Sequence, residues 1–229
     1  MSSPFPTHIS NWSDYRTFLR LDLEAHGLDR WRWHLRFYKH EVRFQRALRR
    51  AEFARSLGLV GRPLYVLARL ALARESLRTG ISISPGSFGP GLSVAHHGSV
   101  VVNGDVRAGA FCRIHSSTNL GAYEGAVPRL GDFVYIGPGV AVFGNVTIGE
   151  GVAIGANSVV VRDVPRGMTA VGAPAVARPG GSRRVMPKGV VSRMPANLSD
   201  EGPTSTTTEV AFDMPDRIPG VGLRTDEGR

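Results

Sequence analysis

The chain has 229 residues, of which 42 % are hydrophobic and 21 % charged, and its formal net charge is +9. This composition allows a packed globular core, and the lack of a long apolar run or of a basic, apolar leader argues against a membrane span and a signal peptide. The single cysteine excludes an internal disulfide framework, so a cytoplasmic protein is expected.

Residues 12–80 are predicted to form an N-terminal helical domain. Ser13 is expected to cap the first helix and Gly27 to end it. Pro63 near the start and Gly80 after the end of the last helix show the usual asymmetry of helix termini. The spacing of apolar residues predicts four helices, over residues 13–27, 29–39, 41–57 and 63–80.

The next segment, residues 81–178, carries a repeat in which every sixth residue is apolar. At 42 % hydrophobic composition, chance would give twelve such positions with a probability on the order of 10⁻⁵. Six residues per side predict a prism of three flat faces, in which parallel strands stack about 4.8 Å apart. The twelve positions are Phe88, Val94, Val102, Ala108, Ile114, Leu120, Leu130, Ile136, Val142, Ile148, Ile154 and Val160.

The last segment, residues 179–229, is rich in Pro, Ser, Thr, Gly and charged residues and shows no periodicity. Segments of this composition bury too little apolar surface to offset the entropy of ordering the chain. We therefore predict a disordered C-terminal tail.

Four stretches of the repeat resemble the hexapeptide-repeat acyltransferases, in the serine acetyltransferase-like branch that includes sugar and capsular polysaccharide O-acetyltransferases. These stretches are Gly91–Val102, Leu130–Gly139, Ile154–Val160 and Val171–Ala175. The helical segment Phe44–Phe53 resembles the N-terminal cap of the same branch.

The resemblance implies a mainly β protein, a left-handed parallel β-helix with an N-terminal α-helical cap. It also implies acetyl-CoA as co-substrate and a homotrimer with active sites between neighbouring subunits. Whether the cap pairs two trimers stays open. Handedness and assembly depend on the resemblance alone, because the periodicity indicates neither.

The six-residue repeat breaks at two steps. Val94 and Val102 lie eight residues apart, and the two extra residues fall at a pair of adjacent histidines. Leu120 and Leu130 lie ten residues apart, which predicts a loop extruded within residues 121–129. Rigid scaffolds commonly carry their functional groups on such departures.

His96 and His97 are the histidines at the first break. Acetyl transfer from a thioester to a hydroxyl group requires a base, and histidine is suited to this role near neutral pH. The resemblance aligns the family's essential histidine with His96, which would deprotonate the acceptor while a backbone N–H stabilises the oxyanion. His97 is the alternative base, and a turn histidine without chemistry is the structural alternative.

A catalytic base is usually oriented by a second group. The family uses an aspartate in an Asp-Ile-His-Pro stretch, which corresponds here to Ser82-Ile83-Ser84-Pro85, so Ser82, Ser84 or a backbone carbonyl is the candidate orienting group. A second family histidine, which helps to bind serine, corresponds to Val127. These departures favour a sugar or polysaccharide precursor as acceptor, with the L-serine of cysteine biosynthesis as the alternative.

The resemblance also implies a position for acetyl-CoA, in a groove between two prisms where it contacts turn backbones. Arg162 is expected to meet its phosphates through charge-assisted hydrogen bonds. The alternative is that the glycines only turn the chain. The implied contact residues are Gly121, Pro138, Gly144, Ala156 and Arg162.

Two other classes of protein are alternatives to an acetyltransferase. A zinc enzyme would use His96, His97 and His115, but adjacent histidines on an extended strand point to opposite faces, so no metal is predicted. A non-catalytic β-helix scaffold would not need the break at the histidines. The helical segment holds fourteen Arg and one Lys against seven acidic residues, but no nucleic-acid motif, so nucleic acid is not expected. Peripheral contact with an anionic membrane stays open.

Overall fold

The computed structural model describes residues 4–198. Its helices are α1 (Trp12–Ala25), α2 (His40–Ser56), α3 (Arg62–Thr79) and α4 (Lys188–Val191), with a short 3-10 helix at Trp33–Phe37. The strands are β1 (Ile81–Ser82), β2 (Ser93–Val94), β3 (Val100–Val102), β4 (Arg107–Ala108), β5 (Arg113–Ile114), β6 (Thr118–Gly121), β7 (Arg129–Leu130), β8 (Tyr135–Ile136), β9 (Ala141–Phe143), β10 (Thr147–Ile148), β11 (Ala153–Ile154), β12 (Val159–Val160), β13 (Met168–Gly172) and β14 (Ala175–Pro179). Within the described range, no helix is both long and apolar enough to cross a bilayer.

The helical cap, residues 12–80, differs from its prediction in two places. Asn11, not Ser13, caps α1, because its side chain accepts a hydrogen bond from the Asp14 backbone N–H at 3.0 Å. The helix predicted over residues 29–39 is only a 3-10 helix of five residues. Leu35 is its one buried side chain, and so short a segment gains too little from packing to hold an α-helix.

The prism consists of three parallel sheets. Sheet A has the strand order β1-β3-β6-β9-β12, sheet B has β10-β7-β4, and sheet C has β13-β11-β8-β5-β2, to which β14 adds an antiparallel edge. Equivalent repeat positions stack directly, as Ile114 pairs with Ile136 and Ile136 with Ile154. All the repeat residues except Ala108 are buried, which confirms the predicted inward ladder.

The prediction placed the start of the disordered tail too early, at residue 179. Residues 180–198 are ordered against the outside of the prism, where their apolar side chains meet Phe111 and Phe133. The segment is mostly polar on average, but an apolar residue occurs at about every fourth position. Residues 199–229 lie outside the described residues. The buried side chains of the ordered part are Met186, Val190, Met194 and Leu198.

A buried ion network joins the cap to the first coil of the prism. Arg49 is fully buried on α2 and donates to both carboxylate oxygens of Asp22 and of Glu52, at 2.9 to 3.2 Å. It also donates to the backbone carbonyls of Phe88 and Gly89 at 2.9 and 2.7 Å. The network fixes the helical cap against the end of the prism from which the histidine turn emerges.

Candidate active site

The two adjacent histidines lie in the turn between β2 of sheet C and β3 of sheet A. We call this corner the histidine edge, formed by the turns at residues 95–99, 115–117, 137–139 and 155–157. The coils stack in register there, since Ala95 N donates to Ile114 O at 2.9 Å and His115 N donates to Ile136 O at 3.1 Å. The stacking places His115 one coil beyond His96.

A column of three ring side chains runs along this edge. The rings of His96 and His115 have centroids 6.0 Å apart, and those of His115 and Tyr135 are 5.1 Å apart. His115 Nε2 is buried and has no hydrogen-bond partner among residues 4–198. Burial, reinforced by Arg113 and His96, lowers the pKa of His115 to about 4. His115 is therefore a neutral imidazole at physiological pH, and its Nε2 keeps an unused hydrogen-bonding position.

His97 faces another part of the molecule. Its ring lies 5.8 Å from that of His40, at the start of α2, with the two rings nearly perpendicular. His96 instead has His115 as its ring neighbour. The structure thus separates the two candidate bases, and it brings only His96 together with a second functional side chain of the edge.

The predicted orienting serines make no hydrogen bond to His96. Ser82 is exposed on β1, where it pairs with Val101 of β3, and the backbone carbonyl of Ser84 accepts from Ser87 N at 3.2 Å. Within residues 4–198 of one chain, the exposed imidazole of His96 receives no hydrogen bond at all. An orienting role for Ser82 or Ser84 stays a prediction.

The histidines are not arranged as a metal site in one chain. In the described part of the chain, no three His, Cys, Asp or Glu side chains are grouped so that they could hold a metal ion. His97 turns toward His40, while His96 and His115 stay together, so the three residues weighed as zinc ligands do not converge.

The residues implied for acetyl-CoA fall on two edges of sheet A. Pro138 and Ala156 lie in turns of the histidine edge. Gly121, Gly144 and Arg162 lie at the opposite edge, where the chain passes from sheet A toward sheet B. In a single chain, the structure brings only the first two together with His96. Contact of these five residues with the co-substrate stays a prediction.

The second break of the repeat forms the predicted loop beside Gly121 and Gly144. Tyr123 and Ala126 close it with two backbone hydrogen bonds of 3.0 Å. A Cβ on Gly121 would lie 2.5 Å from the ring of Phe143, so the backbone is in close contact there. The edge of sheet A opposite the histidine edge is therefore shaped by an aromatic side chain and an exposed tyrosine, not by glycine turns alone.

The charged neighbours of His115 are basic residues. Arg113 donates to Ser93 Oγ at 2.8 Å, and the groups that act on the pKa of His115 are Arg113 and His96. The sequence indicates His115 only as a possible metal ligand and gives no sign of Tyr135. A polar residue at a turn one coil after His96 was the available signal, but the ring contacts depend on the exact register of the coils.

Replacing His115 by leucine is expected to make the protein less sensitive to acid. Between pH 6.5 and about 4, the unfolded chain binds a proton at His115 that the folded chain does not. The contribution to stability is thus complete above the ordinary histidine pKa and is lost as pH falls toward the folded value. The measurement is the drop in Tm from neutral pH to about pH 5. A drop as large in His115→Leu as in the wild type, with exposed His97→Leu as control, would contradict the assignment.

The sequence of the chain is similar to those of known bacterial enzymes. Residues 128–162 match the family described as bacterial transferase hexapeptide (six repeats). The chain is 39 % identical over 119 residues to the serine acetyltransferase of Helicobacter pylori (strain J99), covering 50 % of this chain and 70 % of that protein. It is 40 % identical over 116 residues to the serine acetyltransferase of Synechococcus elongatus, covering 48 % of each.

A solved structure of Neisseria gonorrhoeae serine acetyltransferase superimposes with a TM-score of 0.58 at 28 % identity, covering 80 % of this chain and 70 % of that one. Soybean serine acetyltransferase gives a TM-score of 0.56 at 30 % identity, covering 72 % and 68 %. The fold, a parallel β-helix with an N-terminal helical cap, is thereby confirmed as that of the hexapeptide-repeat transferases.

The chain belongs to the hexapeptide-repeat acyltransferases, in their serine acetyltransferase-like branch. It spans about half the length of the Synechococcus relative, 48 %, and 70 % of the Helicobacter one. These relatives are named serine acetyltransferases, so the predicted sugar acceptor finds no support in them.

Proposed function

We propose that the protein transfers an acetyl group from acetyl-CoA to the hydroxyl group of a small acceptor, with His96 as the base. The observation that carries the proposal is the break in the repeat, which presents His96 on an edge beside neutral His115. Family membership and the names of the relatives support acetyl transfer. They also make serine the first acceptor to consider.

The reaction balances without a covalent enzyme intermediate. The imidazole of His96 takes the proton of the acceptor hydroxyl while the oxygen of that hydroxyl attacks the carbonyl carbon of the thioester. The carbon–sulfur bond then breaks, and the departing thiolate of CoA takes the proton back from the imidazolium. His115 contributes a hydrogen-bonding nitrogen and no charge, which suits a residue that positions a neutral hydroxyl group.

A trimer would complete the site. The side chain of His96 is exposed and makes no hydrogen bond within the described residues, and the residues implied for acetyl-CoA are split between two edges of sheet A. If the histidine edge of one prism faces the opposite edge of its neighbour, Pro138 and Ala156 of the first would meet Gly121, Gly144 and Arg162 of the second. The proposed groove thus lies between subunits. A pairing of two trimers, a cytoplasmic location and contact with an anionic membrane stay predictions.

A sugar hydroxyl is the second candidate acceptor. Free serine carries a carboxylate, for which Arg113 offers a partner, and an ammonium group, which needs an acidic one. Val127, which stands where the family has a serine-binding histidine, offers no polar group and packs against the core of the prism. A neutral sugar hydroxyl makes no such demand.

The test is release of free CoA from acetyl-CoA by the purified protein, measured with a thiol reagent against serine and a panel of sugars. We expect CoA release that depends on an acceptor. Faster turnover with serine would support the acceptor of the relatives, and turnover with a sugar alone would support the second candidate. No acceptor-dependent release with any compound would contradict acetyl transfer to these classes.

A further inference from the structure

A cleft in the helical cap is strongly basic. Side chains of α2, α3, the 3-10 helix and the residues just before it line a cleft of about 500 Å³. Glu75 is the only carboxylate along its walls, and Trp31 and Trp33 are its aromatic residues. The cleft therefore carries a large surplus of positive charge. Its arginines are Arg36, Arg43, Arg46, Arg50, Arg74 and Arg78.

The single carboxylate is already engaged. Arg43 Nε donates to Glu75 Oε2 at 2.7 Å, and Arg43 Nη1 donates to the backbone carbonyl of Arg36 at 3.0 Å. Two buried donors of these arginines, Arg43 Nη2 and Arg46 Nε, have no hydrogen-bond partner in the described part of the chain. A buried guanidinium donor without an acceptor costs free energy, which oxygen atoms of a bound anion would recover.

The guanidinium groups are held close together against mutual repulsion. Arg46 lies over the ring of Trp31, with its central carbon 4.8 Å from the ring centroid, and this contact holds the side chain in place. Burial, followed by the charge of Arg50, lowers the pKa of Arg46. Asp22, which lies outside the cleft, offsets this effect only in part, and an anion with several negative charges would offset the rest.

We propose that this arginine cleft binds a diphosphate group. Guanidinium forks match phosphate oxygens in pairs, and one phosphate would leave most of the surplus charge uncompensated. Trp33 is 72 % exposed beside the arginines, where a nucleotide base or another flat group would stack on it. Soluble nucleotides and diphosphate-bearing lipids share this chemistry. The site is independent of the proposed acetyl transfer, because none of its residues belongs to the histidine edge.

The test is isothermal titration of the full-length protein with inorganic pyrophosphate, without acetyl-CoA or acceptor. Wild-type protein should bind it, with an affinity that falls as salt increases. Arg46→Gln combined with Arg74→Gln should weaken binding at least about tenfold, while Arg46→Lys should give an intermediate loss. Exposed Arg16→Gln on α1 removes the same charge outside the cleft and should bind as the wild type does.

No binding by the wild type, or equal binding by the double variant, would overturn the proposal. If the double variant does not fold, Arg74→Gln alone decides the point, because Arg74 is exposed on α3. His96→Ala should bind pyrophosphate like the wild type, so a failure of this site is distinguishable from a failure of acetyl transfer. Titration with UDP and with CoA, and sedimentation with phosphatidylcholine vesicles carrying farnesyl diphosphate, distinguish the sources of the diphosphate.

Discussion

Replacing His96 by alanine is expected to lower kcat for acetyl transfer by about 10²–10⁴-fold, the usual contribution of a general base. Alanine cannot take the proton of the acceptor hydroxyl, and His115, with a pKa of about 4, is a far weaker base than an ordinary histidine. Since His96 is exposed and makes no hydrogen bond to the part of the chain that the structure describes, the variant should keep the Tm of the wild type. KM for acetyl-CoA should change little.

The matched control is His97→Ala, which removes an adjacent and equally exposed imidazole. Its ring faces His40 and not His115, so we expect kcat within a few-fold of the wild type. A larger loss in His97→Ala than in His96→Ala would move the base to His97. Unchanged acetyl-CoA turnover in His96→Ala would instead favour the reading of the β-helix as a non-catalytic scaffold.

The β-helix was predictable because one physical requirement recurs at every sixth residue. Each inward position must be apolar to fill a narrow prism, as Ile114, Ile136 and Ile154 do in three successive coils. The cap was less predictable, because a helix depends on packing against partners that the sequence does not identify. The segment around Leu35 has too few buried contacts, so its aromatic residues do not form the expected helix.

The candidate site was predictable only in part, for a related reason. His96 was found because it interrupts a regular pattern, and an interruption is visible in the sequence. The contact with His115 and Tyr135 depends on coils of unequal length, since Val94 pairs with Ile114 whereas Ile114 pairs with Ile136. A fixed period cannot specify which turn residues become neighbours, and the partner of His96 therefore had to come from the structure.

The ordered part of the tail shows why the average composition of a segment can mispredict its structure. Its average composition is that of a disordered segment, but Met186 and Val190 bury against Phe111 and Phe133 on the outside of the prism. An average over many residues conceals a few well-spaced apolar side chains, and it cannot show that an apolar surface is available to receive them.

The buried network at Arg49 gives the second large expectation, which concerns stability. Burial lowers the pKa of Arg49, but the carboxylates of Asp22 and Glu52 more than reverse this effect, so the guanidinium stays charged. The two carboxylates and the carbonyls of Phe88 and Gly89 all accept hydrogen bonds from it. Arg49 thus links two acidic residues of the cap to the first coil of the prism.

Replacing Arg49 by methionine keeps an unbranched apolar stem but leaves two buried carboxylates without their cation. The free energy of unfolding should fall by about 3–5 kcal/mol, the usual cost of removing one member of a buried ion pair. Urea denaturation measures the loss, with exposed Arg50→Met in the same helix as a control expected within about 0.5 kcal/mol of the wild type. A loss in Arg49→Met no larger than in this control would mean that water or shifted side chains replace the network, and that apolar packing alone holds the cap on the prism.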